Sequence, residues 1–211
     1  MKPVIHLICP NPAVDRTLLI KNFKEGVPNR PEKVKDFPGG KSFNVAYSLL
    51  FGGVDHEVVV HTILGGENGQ RVSRLAKESG IEVNSIDIDK NTRECNIIVD
   101  VLNKNVYPIY EKGFELTEEV LDAFTQQILG RAKSGDYVVF SGTLMQGMPD
   151  HYIQEIQDQV NDPTVKFLVD TSGQALRSVY MNSTPYLIKI NDEEYNELFD
   201  SHLDVKGNLK L

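Results

Sequence analysis

Cysteine is scarce in this chain: Cys9 and Cys95 are the two among 211 residues. Two thiols are too few for the cross-linked framework of a small secreted domain, and a reducing cytoplasm is the simplest home for such a sequence. Long apolar runs are missing as well. Met1-Lys2-Pro3-Val4-Ile5-His6 leads straight into a short strand-like run, and no stretch has the length of a signal peptide or a membrane span. Positive charge is the third shortage. Lysine and arginine total 22 against 30 aspartates and glutamates, a formal net charge of −8. Nucleic acid is thereby disfavoured as a main partner, since that role needs a basic face. An anionic substrate in a local basic pocket stays compatible with this balance. Internal repeats, linkers and low-complexity stretches are absent too. Asn182-Ser183-Thr184 fits the glycosylation pattern, but without a secretion signal it reads as chance.

What is present is an ordinary globular composition, 40% hydrophobic and 25% charged, long enough for one core or a core with a small subdomain. Val4 to Ile8 reads as a buried strand, and Val14 to Ile20 and Arg30 to Phe37 as more polar, half-exposed strands. A helix from Asn44 to Leu50 stops at Gly52-Gly53, Val58 to Leu64 is a strand, and a helix from Asn68 to Ser79 closes at Gly80. Glu94 to Leu102 and Asn105 to Tyr110 flank a turn at Asn103-Lys104. Thr117, followed by Glu118 and Glu119, caps a helix that runs to about Ala132. Strands at Tyr137 to Phe140, Val165 to Val169 and Tyr186 to Ile190 then alternate with helices from Pro149, Gly173 and Asp192. Strict alternation predicts an α/β fold with parallel βαβ units and right-handed crossovers. The polar strands do not suit such a sheet. They are expected to form a small antiparallel sheet, a lid over the carboxyl ends of the parallel strands, where ligands bind in open α/β folds.

The most telling segment is Pro38-Gly39-Gly40-Lys41-Ser42-Phe43-Asn44, a glycine corner between a strand and a helix. Gly40-Lys41-Ser42 supplies the end of a P-loop, but that motif needs glycine at position 35, which is Lys35. The alternative takes in the neighbours. Asn11-Pro12-Ala13-Val14-Asp15 follows the first strand. After the glycine corner come Leu64-Gly65-Gly66-Glu67-Asn68-Gly69, Thr92-Arg93 with Asn96, Ser141-Gly142-Thr143-Leu144, Asp170-Thr171-Ser172-Gly173, and Lys189-Ile190-Asn191-Asp192-Glu193-Glu194.

In this order and spacing the segments resemble the PfkB-type carbohydrate kinases of the ribokinase superfamily, nearest to the branch of 1-phosphofructokinase and tagatose-6-phosphate kinase. The resemblance runs from Val4 to about Asp200. It implies a single three-layer α/β/α domain over 1–211, with lid strands drawn from about 12–37 and 92–112. It implies transfer of the γ-phosphoryl group of MgATP to a hydroxyl of a phosphorylated ketohexose. Asp15 is then the acceptor of sugar hydroxyl protons, Gly39 and Gly40 let backbone touch the sugar, and Asn44 bonds a hydroxyl. Arg93, Lys41 and Arg30 are the cations for a phosphate already on the substrate, Arg93 first because a guanidinium forks onto phosphate. Asn96 and Glu111 are lid candidates, and Ser141 lies near the phosphoryl path. Lys189, Asn191 and Glu194 match the nucleotide side, with Glu194 holding magnesium through water. The bland reading of Asp192-Glu193-Glu194, acids in a helix's first turn, holds at the same time. Exposed lid strands invite pairing, so a family-like homodimer through the lid is open.

The chain departs from the pattern in places. Ser42 stands where the family usually has glycine, Ile190 where it has proline, and Tyr110 where a lid asparagine is usual; Ile97, Ile98 and Val99 show no lid lysine. A larger departure is the absence of the Gly-Ala-Gly-Asp motif whose aspartate is the family's general base. No catalytic residue is therefore assigned. The expectation is a chain lacking the C-terminal part of a longer kinase, with a non-catalytic sugar-phosphate-binding module as the alternative.

Overall fold

The computed structural model describes residues 2–199. In chain order its elements are β1 (Val4–Cys9), β2 (Ala13–Ile20), β3 (Lys33–Gly39), α1 (Lys41–Phe51), β4 (Glu57–Gly65), α2 (Gly66–Glu78), β5 (Glu82–Ile88), β6 (Arg93–Asp100), β7 (Asn105–Tyr110), α3 (Glu118–Leu129), β8 (Tyr137–Ser141), α4 (Tyr152–Val160), β9 (Lys166–Asp170), α5 (Gly173–Asn182), β10 (Leu187–Ile188) and α6 (Asp192–Phe199).

Six strands form one sheet in the order β10-β9-β8-β1-β4-β5, and each neighbouring pair runs parallel. Helices cover both faces, so the central strands must be apolar on both sides. Along β4 every residue after Glu57 is buried. Ile5, Leu7 and Cys9 of β1 with Val58, Val60 and Leu64 of β4 pack under Phe43 and Ala46 of α1 and Val72 and Ala76 of α2. The alternate positions, Ile8 and Ile63, join Phe140 of β8 under Phe124 and Ile128 of α3 and Ile153 and Ile156 of α4. Each such aliphatic or aromatic side chain contributes roughly 1.5–3 kcal/mol on burial. The expected three-layer α/β/α core is thus present.

A polar thread crosses this apolar middle. Gln127 Nε2 donates to Asn84 Oδ1 at 3.3 Å, Asn84 Nδ2 lies 3.4 Å from His61 Nδ1, His61 Nε2 lies 3.0 Å from His6 Nδ1, and His6 Nε2 lies 3.2 Å from Asp136 Oδ2. One assignment satisfies every link: both imidazoles are neutral with the proton on Nε2, and each donates toward Asp136. Asp136 also accepts from the backbone N–H groups of Val4 and Lys133.

The second sheet has the order β3-β2-β6-β7. Here the structure corrects the expectation of an antiparallel lid sheet. β2–β3 and β6–β7 are antiparallel, but β2 and β6 pair parallel from Ala13↔Arg93 to Ile20↔Asp100. The chain reaches β6 only after passing through β3, α1, β4, α2 and β5, and a crossover of that length permits parallel pairing. β5 is a second correction, since no strand is expected between Ser79 and Glu94. It forms the edge of the main sheet and is nowhere fully buried. Its alternating, polar composition gives little apolar signal. Smaller shifts follow the backbone: α1 begins at Lys41 rather than Asn44, β10 spans only Leu187–Ile188, and α4 begins at Tyr152, with Pro149 in the preceding turn.

α2 joins the two sheets. Arg71 meets Asp36 of β3 through Nη2 and Glu94 of β6 through Nη1 at 3.2 Å. At the start of α2, Thr92 exchanges hydrogen bonds with Gly65, its N–H to the Gly65 carbonyl at 2.8 Å and its hydroxyl from the Gly65 N–H at 3.0 Å. Asn68 Nδ2 donates to the Thr92 carbonyl at 2.8 Å. Among the described residues no helix is long and apolar enough to cross a membrane.

Candidate active-site corner

The residues expected at the site gather where the two sheets meet, above the carboxyl ends of the parallel strands. Asp15 lies in β2 opposite Cys95 of β6 and Phe37 of β3. Its carboxylate sits directly over Gly39: a Cβ added there would lie 2.3 Å from Asp15 Oδ1. A side chain at this position would have to push the Asp15 carboxylate aside, so glycine here serves the placement of that carboxylate rather than the backbone conformation. Burial raises the Asp15 carboxyl above its ordinary value, and the Arg93 charge pulls it partly back.

Gly40 needs both space and conformation. Its φ of 115° is one that L side chains rarely adopt, and a Cβ would meet Cys9 Sγ at 2.7 Å. The chain then turns straight into α1. Ser42 Oγ donates to the Ile8 carbonyl at 2.7 Å and lies 3.3 Å from the Ser141 carbonyl, tying the helix start to β1 and β8. Ser42 is fully buried, so its hydroxyl is not presented to a metal as a P-loop would require. Asn44, one turn into α1, is exposed, and among the described residues its side-chain amide makes no hydrogen bond.

Arg93 begins β6 and reaches across the junction. Its guanidinium donates to the carbonyls of Asn11 at 3.2 Å, Pro12 at 3.4 Å and Glu111 at 3.2 Å. Carbonyls hold the group in place, and the Asp15 carboxylate lies near enough to feel its charge. Glu111 turns its own carboxylate back to accept from the Glu94 N–H at 2.8 Å. Ser141 is buried at the end of β8.

A second cluster adjoins the first through Gly39-Gly40-Lys41. Lys41 Nζ and Lys189 Nζ approach the same atom, Asp170 Oδ1, at 3.3 and 3.4 Å. Nearby, Asn191 and Glu194 form a reciprocal capping box at the start of α6: the Asn191 N–H donates to Glu194 Oε2 and the Glu194 N–H to Asn191 Oδ1, both at 2.8 Å.

Two expected residues are not brought to the corner. Arg30 lies beyond the opposite end of β2, in a cleft of ≈410 Å³ with Lys21, Asn22 and Lys24. Asn96 is one step along β6 from Cys95, so strand alternation turns it to the other face of the sheet, with Arg16 and Asp36. In the other direction, Asp170 stands in one of the motif segments with no role in the site expected of it, although two expected lysines converge on it. Its signal was its place at the end of Phe167-Leu168-Val169. Larger clefts occur elsewhere, ≈700 Å³ beside Lys2, Arg131 and Asp136 and ≈610 Å³ between α2 and β5. The first lies at the amino ends of the strands, where helix C-termini point and anions are not favoured.

Residues 8–210 match the pfkB family carbohydrate kinase domain. The chain belongs to the pfkB family. Its fold is similar to that of phosphofructokinase-2 from Escherichia coli in complex with fructose-6-phosphate, with a TM-score of 0.88 at 20% identity over 99% of this chain and 68% of that one. A possible 1-phosphofructokinase from Thermotoga maritima gives 0.83 at 23% identity, over 98% of this chain and 67% of that one. A carbohydrate kinase from Agrobacterium tumefaciens gives 0.66 at 18% identity, over 94% and 63%. The chain thus spans about two thirds of the length of these pfkB-fold proteins, and at such identities the likeness is one of fold.

Proposed function

We propose that this chain carries the acceptor site of an ATP-dependent kinase that phosphorylates a hydroxyl of a phosphorylated ketohexose, of the fructose 1-phosphate or tagatose 6-phosphate class. The observation that carries the reading is the corner: a partly desolvated carboxylate seated on Gly39, beside a guanidinium whose hydrogen bonds go to carbonyls and whose charge reaches that carboxylate. Sugar hydroxyls donating to Asp15 would replace the water that burial removed, and one carboxylate can accept from two neighbouring hydroxyls. Gly39 and Gly40 let the sugar approach the backbone, and Asn44 offers a free amide to a further hydroxyl. Arg93 uses three N–H groups on carbonyls, and its two remaining donors suit the substrate phosphate. The four-stranded sheet, from about 12–37 and 92–112, serves as the lid of the kinase domain. Val106, Ile109 and Tyr110 are exposed on its edge strand β7, which supports a homodimer through the lid; sedimentation of a monomer at all concentrations would count against it.

The residues on the second cluster fit MgATP by donor chemistry. Lys41, expected on the substrate phosphate, meets Lys189 at Asp170 instead, so the two offer ammonium groups at one point, and Glu194 keeps Oε1 outside its capping box. MgATP bound there would supply the phosphoryl group. Magnesium keeps several of its waters and takes few protein ligands, so Glu194 would hold it through water.

Calorimetric titration with fructose 1-phosphate and tagatose 6-phosphate, beside a coupled ADP-release assay, tests the proposal. Binding of a ketohexose phosphate that disappears in Asp15→Ala and weakens in Arg93→Ala is the expected result. Neither binding nor ADP release with any sugar phosphate would refute it.

A further inference from the structure

Lys41 and Lys189 come from different layers of the fold, one on the first turn of α1 and the other just past β10, yet both ammonium groups contact one oxygen of Asp170. The Asp170 backbone is fixed: its carbonyl accepts from the Gly142 N–H at 2.8 Å, and its register partner in β8 is Ser141. The carboxylate is the sheltered member, 23% exposed against 50% and 55% for the lysine side chains. The contacts, at 3.3 and 3.4 Å, are longer than the 2.7–2.9 Å of tight charge-assisted bonds. One carboxylate charge shared by two ammonium groups leaves the trio a net charge of about +1 at neutral pH. Lys41 runs beside Gly142, where a Cβ would come within 3.6 Å of its own Cβ, so this side of the trio stays low.

From this geometry we infer that Asp170 is the resident counter-ion of the phosphate subsite. It holds Lys41 and Lys189 together in the empty protein, and an entering polyphosphate displaces it from them. The inference rests on the reading of these lysines as phosphate ligands given above. Asp170 acts through the lysines and is a positioning residue. Its presence keeps the cations from binding any passing anion, at the expense of affinity, because its charge stays within a few ångströms of the ligand it yields to.

The test is calorimetric titration of the chain with inorganic pyrophosphate at low and at physiological salt. Asp170→Asn removes the charge and keeps the shape. It should bind pyrophosphate roughly tenfold more tightly than the parent, by the like-charge repulsion relieved near a protein surface. Its affinity should also fall more steeply with salt, because the cradle's net charge rises. An unchanged melting temperature in the same variant separates this from a structural effect, and Asp170→Ser provides the same comparison if the asparagine variant does not fold. Equal or weaker binding by these variants, with parent binding intact, would overturn the counter-ion role alone. Parent binding that is absent, or that survives Lys41→Met with Lys189→Met, would overturn the phosphate-subsite reading and the inference with it.

Discussion

Acidification should weaken this fold well above the pH at which carboxylates titrate, and the buried histidine thread sets the size of the effect. In the neutral arrangement His61 accepts from Asn84 and donates to His6, and His6 donates to Asp136. A proton added to His6 Nδ1 would point at the N–H of His61, and one added to His61 Nδ1 would face an amide donor. Burial lowers His61 to about 3 from 6.5, with the neighbouring His6 adding to the effect, and burial also lowers His6 against the opposing pull of Asp136. Unfolded histidine therefore takes a proton near pH 6.5 that the folded state refuses. Stability is full above that value and is lost as pH falls toward 3. For His61 alone the loss is about 2 kcal/mol by pH 5 and about 5 kcal/mol over the whole interval. Asp136 adds to the loss only lower. Burial raises its carboxyl, but the Val4 and Lys133 N–H groups and His6 together hold it below 3.8, so its contribution goes in strong acid. Asp15, raised by burial, works in the opposite direction. Urea unfolding at pH 7.5, 6 and 5 measures the slope. His61→Gln keeps an acceptor for Asn84 and a donor for His6 but cannot titrate. Its loss between pH 7.5 and 5 should be smaller than the parent's by about 2 kcal/mol. Equal losses in the two proteins would refute the reasoning.

Asp15→Asn should abolish sugar-phosphate binding in calorimetry while leaving the urea midpoint equal or higher, since a partly desolvated charge is replaced by a neutral amide; a large fall in stability would make Asp15 a structural residue. Arg71→Ala leaves Asp36 and Glu94 without their shared cation and should cost about 2 kcal/mol in urea unfolding, with Arg71→Lys recovering part of it. Gly65→Ala places a Cβ 1.8 Å from the Lys90 carbonyl oxygen and 2.6 Å from that of Ile88, both backbone, and should cost about 3 kcal/mol or prevent folding. Parental stability for that variant in thermal melts would mean the loop ahead of Thr92 yields easily.

Sequence revealed the parts of this fold that local pattern controls. Strands inside a parallel sheet are predominantly apolar, so β1, β4, β8 and β9 stand out even though His6 and His61 interrupt two of them. Thr117 was readable as a cap because its side chain alone can reach the Val120 N–H. β5 was not, because a half-exposed edge strand mixes Glu82, Asn84, Ser85 and Asp87 with its apolar residues. The parallel pairing of β2 with β6 is a tertiary choice with no local trace. The same limit applies at the site. Asp15 pairs with Cys95 rather than Asn96, and this one-step difference decides which face Asn96 occupies. The part played by Asp170 was hidden for a related reason: the lysines it meets lie 129 and 19 positions away in sequence.

Several of the functional candidates already have structural work, and this ranks them. Asn191 and Glu194 satisfy each other's backbone N–H groups, so their motif would persist in a protein with no use for magnesium. Ser42 closes the Ile8 carbonyl, and the Glu111 carboxylate closes the Glu94 N–H. Arg93 staples three segments together, but a guanidinium has five N–H donors and here uses three of them on neutral acceptors. Its charge and its remaining donors are surplus to the fold. The Asn44 amide is surplus too, as is the Asp15 carboxylate, which the fold buries at a cost. Binding energy has to come from groups with capacity left over after folding. Asp15, Asn44 and Arg93, rather than the capping pair or Ser42, are therefore the positions where substitution should separate affinity from stability.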